Sequence, residues 1–136
     1  MQQCAICHCP LTKEQGTYAT TTLNGRSHRS RHHFVAERFF GRSANRRGTL
    51  KERIFDRCPW GQERQAEFFC YECHELLLHN PVLLPEDIAT FSKLVEARGL
   101  IEKAKPQHYR LIAGRIQLLR EVIAAGLVAL ASSQVD

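Results

Sequence analysis

Two C-x-x-C pairs, Cys4 with Cys7 and Cys70 with Cys73, constrain this chain more than any other feature. A C-x-x-C turn aims two thiolates at one point from a tight stretch of backbone. Two such turns together supply a closed tetrahedral set of four sulfurs, the usual cage of structural zinc. The segment between the pairs is longer than in a zinc ribbon, so one shared ion would clamp a hairpin and loop rather than a single finger. In a reducing compartment such pairs read as metal sites more readily than as disulfides. A redox role is the weaker reading, because a thioredoxin-like site belongs in a βαβ pattern, which this sequence lacks. Cys9 and Cys58 are left over. Either can stand in for one of the four, and each reads first as a buried or loop thiol.

At 136 residues the chain is long enough for one ordinary domain, or a small one with a helical appendage. Its net charge of +5 is unevenly spread. Residues 26–57 carry Arg26, Arg29, Arg31, Arg38, Arg42, Arg46, Arg47, Lys51, Arg53 and Arg57 against Glu37, Glu52 and Asp56. Arginine offers planar, bidentate donors that match phosphate, so this block points to a polyanion. The plainer reading is a solvated basic loop. The first residues lack a basic region followed by an apolar core, so no signal peptide is expected. No apolar run reaches the roughly 20 residues of a membrane span, and a cytoplasmic protein is expected.

The coarse structure follows from punctuation and periodicity. Residues 17–24 are rich in threonine and end at Asn24-Gly25, a two-residue hairpin signal. A second strand then runs through His28 to Phe34-Val35. Short helical turns are expected at 36–40 and 49–55, and a short strand at Phe68-Phe69. The stretch from Cys73 to His79 reads as a helix stopped by Asn80-Pro81. A further helix spans Glu86 to Arg98, with Pro85 and acidic residues at its start and Gly99 past its end. A longer one follows Pro106, with an apolar stripe at Ile112, Ile116, Leu119, Ile123, Leu127 and Leu130 that needs a partner. Packing within the chain is the first reading of that stripe, and a homodimer the second.

The histidines are the remaining chemistry. His32 and His33 are adjacent, and neighbours on a strand point to opposite faces. His74 directly follows the second cysteine pair. His79 lies five residues on, about 140° around an ideal helix, so it joins His74 only if the helix is ending there. A lone histidine is more often structural. A doublet plus a histidine welded to a metal knuckle favours a site.

The order C-x-x-C, then His32-His33-Phe34-Val35 running to Gly41, then Cys70-x-x-Cys73-His74, resembles the zinc-stapled branch of the HNH endonucleases. The resemblance covers about residues 4–80 and not the helices beyond. It implies an α+β fold: a small ββα-metal unit over residues 1–80, held by zinc on Cys4, Cys7, Cys70 and Cys73, with a helical extension over 81–136. It also implies phosphodiester hydrolysis of nucleic acid, with DNA as the expected substrate. His33 resembles the general base. His32, His74 and His79 resemble the ligands of a catalytic divalent cation such as Mg2+, Mn2+, Ni2+ or Zn2+. Arg38, Arg42, Arg46 and Arg47 would hold flanking phosphates. The family's middle asparagine falls at Gln65, with Asn45 and Asn80 elsewhere as other amides. The competing reading is a non-catalytic zinc module of the same fold that binds nucleic acid or a protein.

Overall fold

The computed structural model describes residues 2–12, 27–41, 53–101 and 108–133. Over these described residues the chain is α+β, with one small sheet and two long helices toward the C-terminal end. It divides into two compact units, Met1–Lys51 with Arg57–Val82, and Glu52–Asp56 with Leu83–Asp136.

In the first unit, strand β1 (Ser30–His33) pairs antiparallel with strand β2 (Ala66–Phe69). The register sets Ser30 opposite Phe69, His32 opposite Glu67 and His33 opposite Ala66. The expected strand at 17–24 and its Asn24-Gly25 turn lie outside the described residues. Among those that are described, the partner of β1 is the aromatic strand far along the chain. Phe69 is buried, and the Arg29 guanidinium carbon sits 4.6 Å above the centroid of Phe68. Phe69 packs with Cys4, Leu11 and Cys70 in one small core, which Cys9, Phe68 and Cys73 border. Half of that cluster is therefore cysteine.

Between the strands, Glu37–Phe40 forms a short 3₁₀ turn that ends at Gly41, in the left-handed region at φ 72°. The turn buries Phe40. The helical turn expected at 49–55 is absent over its described part, since Arg53, Ile54 and Phe55 are not helical.

β2 leads straight into a helix at Glu72–Leu78, one residue earlier than expected, and this helix is π-wound. Leu76, Leu77 and Leu78 are all exposed, so core packing gives no reason for the wider winding. Its consequence lies at the histidines that flank it.

In the second unit, α1 (Pro85–Ala97) begins where proline and acidic residues were expected to start a helix. The Asp87 carboxylate accepts a hydrogen bond from the Leu84 amide at 2.8 Å, which satisfies one orphan donor of the first turn. Gly99 stops it at φ 67°. α2 (His108–Ser133) packs on α1, with an Arg98–Glu121 ion pair between them. Leu111, Ala113 and Leu118 are buried, and Arg115 donates to the carbonyls of Leu100 and Ile101.

Among the described residues, Ile123, Leu127, Val128 and Leu130 in the second half of α2 are 48–68% exposed. The segment Arg110–Ser133 is also long and apolar enough to cross a membrane, by length and composition alone. The sequence reading missed this because Arg115, Arg120 and Glu121 interrupt the apolar run.

Candidate metal centres

Both cysteine pairs arrive at one point. Residues 5–7 form a turn after Cys4, with the His8 amide donating to the Cys4 carbonyl at 3.0 Å. The second pair spans the junction of β2 with the π-wound helix. The sulfurs of Cys4, Cys7, Cys70 and Cys73 all lie within 4.8 Å of one another, and Cys7 Sγ is 3.8 Å from Cys70 Sγ. Four sulfurs each about 2.3 Å from one zinc ion stand about 3.8 Å apart at tetrahedral corners, so the set fits. The amides of Ile6 and Cys73 donate to the sulfurs of Cys4 and Cys70, both at 3.4 Å. Such amides support charge on a ligating sulfur.

The electrostatics match a metal site. Burial raises the Cys4 thiol, but backbone hydrogen bonds at Cys7, Cys70 and Ile6 outweigh it and bring the group to about 6. Burial, with the neighbouring thiols, pushes Cys73 and Cys70 up. One thiolate forms readily and further ones crowd it, so a cation is what allows all four to ionise. Cys9 stands beside Cys7 and Cys70, and burial together with those thiols pushes it up to about 12. Cys9 is not among the four sulfurs that lie within 4.8 Å of one another. Cys9→Ser should therefore leave one zinc ion per chain by elemental analysis, and loss of the ion would place Cys9 in the ligand set. Cys58 is occupied elsewhere, donating to the Gly61 carbonyl at 2.7 Å.

A second cluster lies in the same unit. His32, from β1, meets His74 and His79, from the two ends of the π-wound helix. One ligand nitrogen from each ring lies within 4.8 Å of those of the other two. Ring centroids are 5.0 Å apart for His32–His74, 5.5 Å for His32–His79 and 4.6 Å for His74–His79. An α-helix would hold His74 and His79 on different faces. A winding closed by i→i+5 hydrogen bonds is wider and brings residues five apart toward the same side. His79 is also the residue at which the helix ends.

His74 is buried and His32 half-buried. Burial lowers both rings below the ordinary 6.5; His74 and His79 add to the effect at His32, while Glu75 opposes it at His74. Lowered values keep these rings neutral, the state that binds a cation. The sign follows directly. Protons compete only below the ordinary value, so cation affinity should be level through neutral pH and fall as pH drops beneath about 6.5. Calorimetric cation titrations at pH 5.5, 6.5 and 7.5 check this, and an affinity that rises on acidification contradicts it.

His33 is not in this cluster. It follows His32 on β1, and its Nε2 lies 3.7 Å from Glu37 with the side chain 30% exposed. Arg38 is exposed, with its guanidinium carbon 5.2 Å from the Phe39 ring centroid. Arg42, Asn45, Arg46 and Arg47 lie outside the described residues. Gln65 is exposed, and its backbone carbonyl accepts from the Phe34 amide at 3.1 Å. It ends a tight loop in which Gly61, Gln62 and Arg64 all have positive φ. Asn80 donates its side-chain amide to the Glu75 carbonyl at 3.0 Å, a helix-ending role.

Sequence reasoning missed Ser30 and Glu75, both of which contact the His74 ring. Glu75 carried a legible signal, four residues before His79 on a helix. Comparison with protein-family models, with curated proteins and with solved structures finds no match to this chain.

Proposed function

We propose that this chain is a metal-dependent endonuclease of the HNH type, hydrolysing phosphodiester bonds in nucleic acid, with DNA as the expected substrate. The observation that carries the reading is the meeting of His32, His74 and His79. The strand pair and the helix after it would be the ββα-metal unit, and the four-cysteine site a zinc staple that fixes the start of that helix. His32, His74 and His79 would hold a divalent cation, which when bound would supply positive charge to stabilise charge growing on the phosphate oxygens.

The chain's own residues do the rest. His33 is next to ligand His32 on β1 and is open to solvent, so a water can reach it. A neutral imidazole there takes one proton as the water oxygen bonds to phosphorus and the bond to the leaving oxygen breaks. Glu37 Oε1 stands 3.7 Å from His33 Nε2, on the same turn of chain. Arg38 and the basic residues that follow hold flanking phosphates without reading sequence. Cysteines paired as metal ligands suit a reducing cytoplasm, the expected location.

A supercoiled-plasmid nicking assay tests this. The zinc-loaded chain should nick with Mg2+, Mn2+ or Ni2+ and stop when that second cation is withdrawn. A chain that binds DNA and cuts under none of these ions is the non-catalytic zinc module instead.

A further inference from the structure

Glu75 lies between the two histidines of the π-wound helix. One carboxylate oxygen is 3.3 Å from His74 Nδ1, and the other is 3.2 Å from His79 Nδ1. An ionised carboxylate only accepts hydrogen bonds, so a neutral imidazole facing it must carry its proton on Nδ1. The lone pair of each ring is then on Nε2. The Ser30 hydroxyl also touches His74 Nδ1, but a hydroxyl both donates and accepts and suits either tautomer. The carboxylate favours a proton on Nδ1 of both rings, through a hydrogen bond at His79 and as a charge 3.3 Å away at His74. Asn80 braces Glu75 through its carbonyl. The same winding that aligns His74 with His79 places Glu75 within reach of both.

We propose that Glu75 is the positioning residue for both helix ligands, fixing their Nδ1–H tautomers and presenting both Nε2 atoms to one divalent cation shared with His32. This rests on reading the three imidazoles as a cation site. A carboxylate behind a ligating histidine holds the ring and raises its basicity. Here a single side chain does so for two rings, which removes their rotational freedom before the cation arrives.

The test uses the full zinc-loaded chain at pH 7.5, with Glu75→Ala and Glu75→Gln beside it. Long-range proton–nitrogen correlations of the imidazoles, recorded without a second cation, report the tautomers. Native His74 and His79 should both show Nδ1–H. Glu75→Ala should release both His74 and His79 toward the Nε2–H form, and a His74 that keeps Nδ1–H overturns the role of Glu75 at that ring. Glu75→Gln keeps one acceptor oxygen and presents a donor at the other end, so it should hold only one ring. Mn2+ affinity should fall about 10–100-fold in Glu75→Ala, and less in Glu75→Gln, with zinc content unchanged. Unchanged tautomers, or equal Mn2+ affinity in native and Glu75→Ala chains, overturn the role of Glu75 alone. A native chain that takes up no Mn2+ overturns the cation site and this inference together.

Discussion

Replacing Cys70 with serine should release the zinc ion and unfold the unit that carries the histidines. Cys70 is both a sulfur of the four-cysteine set and a member of the small core with Cys4, Leu11 and Phe69. Structural zinc contributes about 10–16 kcal/mol in small zinc-folded peptides, and a whole domain is stable by about 5–15 kcal/mol. The ion's contribution is thus about as large as the net stability of a whole domain. The same residue starts the π-wound helix, where the His74 amide donates to its carbonyl at 2.9 Å. Circular dichroism and zinc analysis of Cys70→Ser should show loss of ordered structure together with the ion, and a strong chelator should reproduce this in the native chain. A folded, metal-free Cys70→Ser protein would remove the staple from the account.

The second large effect is on catalysis. His33→Ala should lower the nicking rate by about 10²–10⁴-fold, the usual contribution of a positioned general base. His33 lies outside the three-imidazole cluster, so uptake of the second cation should stay within a few-fold of native. That split separates a proton-transfer role from a ligand role. Equal loss of cation uptake would make His33 a ligand, and an unchanged nicking rate would remove it from the chemistry.

The local signals in the sequence were strong. Paired C-x-x-C turns carry their geometry within a few residues, which is why the meeting of Cys4, Cys7, Cys70 and Cys73 was legible. Pro85, Gly99 and the apolar periodicity located α1 and α2 because start, stop and face signals are all short-range. The pairing of β1 with β2 was not legible, since two four-residue strands far apart in sequence carry no turn signal linking them. The π winding was hidden for a different reason. Five-residue spacing looks unfavourable on an ideal helix, and nothing in Leu76–Leu78 announces a wider turn. That one irregularity turns His79 from a marginal candidate into a member of the cluster. The apolar face of α2 was legible from its periodicity, which identifies such a face without saying what covers it.

The most direct measurement is a Mn2+ titration of the zinc-loaded chain, native against His74→Ala, with zinc content followed throughout. The account predicts one further divalent ion per native chain, lost in His74→Ala while the zinc ion on the four cysteines stays. A native chain that binds no second ion, or one whose second ion is indifferent to His74, would contradict it.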